Sequence, residues 1–163
     1  MLSRIAEALY WVGRYVERAE DTARILDVHY HLMLEEDSAQ AEQSSLADLL
    51  SALGLGGEKL GEQPAVRVIE HLAFSKQQPT SIYHSLRSAW LAARGAREAI
   101  SSEMWECLNS LNENLPERCQ TTVGLHPFFS WVKDRSATFT GLVESTLSRD
   151  DGWRFLTLGR SLE

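Results

Sequence analysis

Cysteine is nearly absent from this chain, whose 163 residues include only Cys107 and Cys119. Two cysteines are too few for the disulfide framework of a small secreted domain, and their spacing matches no zinc-ligand pattern. We therefore predict two reduced thiols, with Cys107 in the hydrophobic core.

Basic residues and long apolar runs are also scarce. The chain has 16 lysines and arginines against 23 aspartates and glutamates, so its net charge is -7 and its pI is near 5.3. Nucleic acids and anionic membrane surfaces select basic patches, so neither is expected as a partner. The start of the chain has no uninterrupted apolar stretch as long as that of a secretory signal. No segment approaches the roughly 20 apolar residues of a membrane span. The sequence predicts an acidic cytoplasmic protein.

Helix-breaking residues are rare in the first part of the chain. From Ser3 to about Glu36 there is no proline and only one glycine, Gly13. Apolar residues recur there every three or four positions, which predicts one face of a long amphipathic helix. With 44% hydrophobic residues, the chain is long enough for one domain with a real core and too short for two comfortable ones.

The same periodicity predicts the remaining helices. Loops are expected at 35–45 and 54–64, and Pro116 is expected to end the second long helix or to follow its end. Asp150 or Asp151 is a natural cap for the last helix. The predicted bounds of these helices are 46–53, 66–74, 80–111, 127–147 and 153–163. No segment alternates apolar and polar residues for long, so we predict an all-α fold, a bundle of three long and several short helices.

An internal repeat links the two ends of the chain. Residues 9–17 return as residues 155–163, and both copies keep Gly-Arg-x-aliphatic-Glu after an earlier Leu-Ser-Arg. Repeated segments are typical of repeated supersecondary units that stack on one another. We expect a single domain over residues 1–163 in which a second repeat begins at about residue 148 and stops at Glu163. Such a chain is either a natural short form or a fragment of a longer domain.

A stripe of polar residues follows the apolar face of the first helix. Gly13, Glu17, Glu20, Arg24 and Asp27 have a four-three-four-three spacing, so they align beside that face. One interpretation is a solvated face with ion pairs, and the other is a partly buried seam that forms a ligand or catalytic site. Glycine inside a helix costs about 1 kcal/mol against alanine, so Gly13 favours a close approach by another helix.

The second long helix offers counterparts to this stripe. Arg97 falls within its apolar stripe, and a buried arginine requires a carboxylate, for which Glu17 or Glu20 is the candidate. Such clusters hold helices in register more often than they catalyse reactions. The candidate polar seam comprises Glu17, Glu20, Arg24, Arg94, Arg97 and Glu103.

No metal site or cofactor is predicted. A di-iron bundle requires Glu-x-x-His on two helices, and no glutamate here has a histidine three residues later. His29 and His31 lie on different faces of a helix, and each is interpreted as a boundary residue rather than a ligand. No catalytic triad or phosphate-loop motif is present either.

Three motifs in order resemble one known family. The first is Leu9-Tyr10-Trp11-x-Gly13-Arg14-Tyr15-x-Glu17-Arg18-Ala19-Glu20-x-Thr22-Ala23-Arg24. The second is Ala93-Arg94-x-x-Arg97-Glu98-x-Ile100-Ser101-x-Glu103-x-Trp105-x-x-Leu108-Asn109. The third is Asp151-Gly152-Trp153-Arg154-Phe155-Leu156-x-Leu158-Gly159-Arg160. Together they resemble the bacterial alpha-E domain family, and this chain is similar to the N-terminal half of such a domain.

The resemblance implies a mostly helical domain in which the Gly-Arg-x-Leu-Glu-Arg-Ala motif occurs twice. It also implies fusion to, or a gene beside, atypical ATP-grasp amide ligases and transglutaminase-like peptidases, and therefore a role in making or processing a peptide. The chain has Ala89-Trp90-Leu91-Ala92-Ala93-Arg94 where the family usually has Ala-Arg-Glu-Asn-Ala-Arg. This departure favours a degenerate or structural copy of the domain.

Three functions remain open from the sequence. The first is a non-catalytic helical accessory or scaffold module of a bacterial amide-ligase and peptidase system. The second is an enzyme of amide or peptide chemistry that uses the polar seam, which requires these side chains to converge in a pocket and one carboxyl pKa to be raised. The third is a small-ligand-binding helical bundle.

Self-association is expected from the last helix. It carries an apolar stripe that a second copy of the chain could cover, so we predict a homo-oligomer. The stripe comprises Trp153, Phe155, Leu156, Leu158 and Leu162.

Overall fold

The computed structural model describes residues 3–35, 39–56, 64–121 and 124–163, and these residues form seven α-helices and no strand. The helices are α1 (Ser3–Glu35), α2 (Ala39–Ala52), α3 (Ala65–Phe74), α4 (Ile82–Gly95), α5 (Ser102–Thr121), α6 (Leu125–Thr146) and α7 (Asp151–Ser161). The prediction of an all-α helical bundle is confirmed. Across the described ranges, no helix is long and apolar enough to cross a membrane.

The long helix α1 is the centre of the bundle and packs against α4, α6 and α7, with α2 and α3 near its C-terminal half. Its apolar face contributes to two core clusters. Leu9 and Val16 belong to the first cluster, with residues of α4 to α7. Leu26 belongs to the second cluster, which includes Phe128 and Phe129 of α6 and residues of α2 to α5. One face of a single helix therefore organises the whole bundle.

The predicted second long helix is wrong, because the chain breaks between α4 and α5. After Gly95 the residues Arg97–Ala99 form a short 3₁₀ turn, and Ile100 is extended with φ -119° and ψ 156°. The hydroxyl of Ser101 then accepts a hydrogen bond from the Met104 N–H at 3.1 Å and caps α5. Gly95 is thus the last residue of α4, and Ser101 caps the start of α5. The apolar stripe in the sequence nevertheless continues through both helices.

Three other predicted boundaries differ from the structure. α5 continues through Pro116 to Thr121, because Leu115 and Cys119 pack against the core on either side of the proline. α2 begins at Ala39 rather than near residue 46. α6 begins at Leu125, so the missing N–H of Pro127 falls in a first turn that needs no such donor. Residues 57–63 of the predicted second loop lie outside the described residues.

The caps of the last helix and the state of the thiols agree with expectation. The Asp150 side chain accepts hydrogen bonds from the N–H groups of Gly152 and Trp153, as predicted for the start of α7. Cys107 and Cys119 are both free thiols. Each is half-buried against a core cluster, so Cys107 lies at the margin of the core rather than deep inside it.

Candidate functional site at the crossing of the first and last helices

α1 and α7 pack so closely that their backbones touch at two glycines. A Cβ atom at Gly13 would overlap the carbonyl oxygen of Leu156, and a Cβ atom at Gly159 would overlap the carbonyl oxygen of Tyr10. Only glycine fits at either position without a shift of a helix backbone. The close approach that Gly13 predicts is therefore present, and α7 is the helix that makes it.

The two contacts are equivalent under the internal repeat. Gly13 and Gly159 hold the same place in the two copies, and so do Tyr10 and Leu156. Each copy thus presents its glycine to the backbone of the other copy three residues earlier. This exchange of contacts relates the two segments by a local pseudo-two-fold axis. They run in the same direction, because the residues that follow the glycine in one copy also meet those that follow the glycine in the other.

One turn further along, charged side chains of the two copies also contact each other reciprocally. The Arg14 Nε donates to Glu163 Oε2 at 2.8 Å, and the Arg160 Nε donates to Glu17 Oε2 at 2.8 Å. Arg14 and Arg160 are equivalent in the repeat, as are Glu17 and Glu163. We call these two contacts the crossed ion pairs. Each copy supplies the arginine of one pair and the glutamate of the other.

Further groups hold the crossed ion pairs in place. Arg18 donates to both carboxylate oxygens of Glu163, at 2.6 and 3.1 Å, so Glu163 receives two guanidinium groups. The Tyr10 hydroxyl accepts from Arg14 Nη1 at 2.8 Å. This hydrogen bond, aided by the charge of Glu163, raises the pKa of Arg14. The arrangement keeps the guanidinium charged and fixes its orientation.

A surface pocket opens beside the crossed ion pairs. It has a volume of about 340 Å³, and Arg18, Asp21, Thr80 and Glu163 are among the residues that line it. Partial removal of Asp21 from water, followed by repulsion from Glu17, raises the pKa of the Asp21 carboxyl. An acid of raised pKa therefore faces a polar pocket, although the sequence did not single out Asp21.

The structure brings together only part of the candidate polar seam. Glu17, Glu20 and Arg24 share one stretch of α1, where Glu20 pairs with Arg24 through a hydrogen bond of 2.5 Å and Glu17 pairs with Arg160. Each carboxylate already has a cation. All three residues lie on α1, and Glu17 joins that helix to α7.

The other three candidates lie around the break between α4 and α5. The Arg94 guanidinium lies 5.2 Å from the centroid of the Trp90 ring, and that of Arg97 lies 5.5 Å from the Trp105 ring. Arg97 is on the 3₁₀ turn, outside the apolar stripe, so its predicted pairing with Glu17 or Glu20 is wrong. Glu103 is exposed in the first turn of α5.

Sequence reasoning missed several residues of this site for different reasons. Arg14, Arg160 and Glu163 were visible in the internal repeat, but nothing in the repeat indicates that its copies contact one another. A second cluster, formed by Asp27, His31 and His126, joins α1 to α6. Asp27 and His31 are four residues apart on one helix face, whereas nothing in the sequence connects them to His126.

Comparison with known proteins agrees with the resemblance drawn from the motifs. A family model described as "a predicted alpha-helical domain with a conserved ER motif" matches residues 1–163. Uncharacterized proteins of Mycobacterium bovis and Mycobacterium tuberculosis are each 24% identical over 183 residues, which cover 98% of this chain and 21% of the relative. The chain thus spans about a fifth of the length of these curated relatives. No solved structure matches the chain significantly.

The dipeptide Glu-Arg occurs at Glu17-Arg18 and at Glu117-Arg118. The chain belongs to the Alpha-E family.

Proposed function

We propose that the protein is a non-catalytic helical accessory or scaffold module of a bacterial peptide amide-ligase and peptidase system. The observation that carries this proposal is the pairing of its motif residues with one another. Glu17 and Arg18, the Glu-Arg dipeptide of the first motif, bind Arg160 on α7 and Glu163 just after it. Residues engaged in this way stabilise a helix crossing.

Catalytic groups have a different arrangement from this one. A general acid, base or nucleophile must face a space in which a reacting atom can sit. The crossed ion pairs instead face each other, with side-chain exposures of 13% to 27%. Partly buried pairs of this kind fix the register of two helices. Such a role suits a module that presents a rigid surface to partner enzymes.

The exposed side of α7 supports the proposed homo-oligomer. Phe155, Leu158 and Leu162 are 39%, 46% and 55% exposed, while Leu156 is buried against α1. A groove of about 530 Å³ between α1 and α7 is bordered by Tyr10, Phe155 and Leu158. A two-fold interface is self-complementary, and this patch offers both projecting side chains and a recess. A second copy of the chain is therefore the occupant that we propose.

Reconstitution with the proposed partner enzymes tests the accessory role. The purified chain is mixed with an ATP-grasp ligase or a transglutaminase-like peptidase encoded beside a protein of this family, and binding and enzyme turnover are measured. We expect a complex in which turnover or peptide retention changes, while the chain alone converts no peptide. Turnover of a peptide by the isolated chain, or the absence of any complex, contradicts the proposal.

One observation favours a second candidate function, an enzyme of amide or peptide chemistry. The Asp21 carboxyl has a raised pKa beside a pocket that also contains Arg18 and Glu163. Raised carboxyl pKa values are typical of general acids. This candidate predicts that peptide conversion by the isolated chain is lost in Asp21→Asn, with Asp134→Asn on α6 as the matched surface control. Equal conversion by both variants argues against it.

A further inference from the structure

Three side-chain atoms that could bind a metal ion lie close together between α1 and α6, and they belong to Asp27, His31 and His126. Asp27 Oδ1 lies 2.7 Å from His126 Nδ1, and His31 Nε2 lies 3.3 Å from His126 Nδ1 and 3.6 Å from Asp27 Oδ1. The three atoms therefore form a triangle with sides of 2.7 to 3.6 Å, contributed by helices that are far apart in sequence.

The size of this triangle fits a tetrahedral zinc ion. With metal–ligand distances of about 2.0 to 2.1 Å, neighbouring ligands of a tetrahedral zinc ion are about 3.3 Å apart. The three separations here lie within about 0.6 Å of that value. Two imidazole nitrogens and one carboxylate oxygen are a donor set that zinc accepts, with the fourth position left to water or another ligand.

We propose that Asp27, His31 and His126 bind one divalent transition-metal ion, with zinc as the preferred ion. The surroundings hold two of the ligands in orientation. Lys133 Nζ binds the other carboxylate oxygen of Asp27 at 2.7 Å, which leaves Oδ1 to face the histidines. Ser130 Oγ lies 3.4 Å from the second ring nitrogen of His126 and is placed to orient the ring.

The charge and exposure of the cluster also suit a metal. Asp27 supplies a carboxylate, the negatively charged member of the donor set. Asp27 is buried, whereas the side chains of His31 and His126 are 53% and 49% exposed. An ion thus has a route from solvent to a carboxylate fixed at the helix interface.

Zinc titration of the full chain tests this site. Competition with a chromophoric chelator gives stoichiometry and affinity for the wild type and for His31→Ala, His126→Ala and His71→Ala. His71 is an exposed histidine of α3 and serves as the matched control. We expect one zinc ion per chain, with affinity at least tenfold weaker in each cluster variant and unchanged in His71→Ala. Absence of stoichiometric binding, or equal weakening by all three substitutions, overturns the proposal.

Cobalt provides a second readout that reports geometry. A four-coordinate Co²⁺ complex absorbs visible light strongly, and we expect this absorption in the wild type and its loss in His126→Ala. Circular dichroism and the melting temperature establish that each variant is folded. A weak spectrum typical of six-coordinate cobalt in the wild type counts against the tetrahedral site. Neither measurement depends on the proposed accessory role.

Discussion

Arg160 on α7 donates a hydrogen bond from Nε to Oε2 of Glu17 on α1, across 143 residues of sequence. The equivalent residues in the other copy of the repeat, Arg14 and Glu163, make the reciprocal contact. A repeat that looks in the sequence like a duplicated segment therefore forms an interface with itself. The glycine of each copy permits the close approach, and the arginine and glutamate then fix the register.

The close contact at Gly159 predicts that alanine destabilises the protein there but not at Gly141, a glycine with open space around it. Gly159→Ala places a methyl group against the Tyr10 carbonyl oxygen, so we expect a loss of about 1–3 kcal/mol or more in the free energy of unfolding. Gly141→Ala on α6 is the matched control, because apart from the adjoining helix backbone no atom lies within 4 Å of its added methyl. There alanine is expected to stabilise α6 by up to about 1 kcal/mol. Urea denaturation of both variants measures the difference, and equal effects contradict the close contact.

The crossed ion pairs predict measurable coupling between distant residues. In a double-mutant cycle with Glu17→Gln and Arg160→Gln, we expect a coupling free energy of about 0.5–1.5 kcal/mol, which falls as salt is added. The pair is only 23% and 24% exposed. The Arg67–Glu70 pair, 70% and 40% exposed, is the control and should give about 0.5 kcal/mol or less. Coupling no larger than that of the control means that the pair does not stabilise the crossing.

Features of this architecture that depend on residues close in sequence could be predicted from the sequence. Amphipathic periodicity predicts α1, the side chain of Asp150 predicts the start of α7, and Gly13 predicts a close approach, because each depends on residues within a few turns. The break at Gly95 escapes detection because the apolar stripe continues through it. Arg97 was misplaced as a consequence, since the 3₁₀ turn rotates it out of the stripe.

The candidate site was only partly predictable for a related reason. Glu17 was identified from its spacing on one helix, but its partner Arg160 comes from the other end of the chain. The same applies to Asp27 and His126, which are 99 residues apart. Spacing along one helix indicates which residues share a face. Which faces meet depends on packing of the whole bundle, and a single sequence does not display it.

Replacing the Asp21 carboxylate with a neutral amide is expected to stabilise the folded protein by an amount that depends on pH. Its pKa in the folded protein is raised above the ordinary value for aspartate, because partial removal from water and the carboxylates of Glu17 and Glu20 disfavour its charge. The folded state therefore loses stability as the pH rises from the ordinary aspartate pKa, about 3.9, through the raised folded pKa, and this loss persists at neutral pH. Asp21→Asn should be more stable than the wild type at pH 7 and lose that advantage below about pH 4. Melting temperatures from pH 3 to 8 measure it, and a gain that does not change with pH contradicts this origin.

Cys119 is expected to resist alkylation in the native protein. Burial raises the pKa of its thiol to about 11, so almost no reactive thiolate is present at pH 8. Mass spectrometry after treatment with iodoacetamide should show much slower modification of native Cys119 than of the same residue in urea. Rapid modification of the native protein at pH 8 contradicts the buried, protonated state.

The exposed face of α7 predicts that one charge disrupts self-association. Leu158→Glu places a carboxylate in the proposed interface between copies, so we expect a lower mass in light scattering at micromolar concentration, with unchanged helicity. Leu91→Glu on α4 is the matched control, because Leu91 is 45% exposed and Leu158 is 46% exposed. The wild type and Leu91→Glu should remain oligomeric while Leu158→Glu becomes monomeric. A monomeric wild type rules out a second copy as the occupant, and equal disruption by both substitutions means that the interface does not involve the α1–α7 groove.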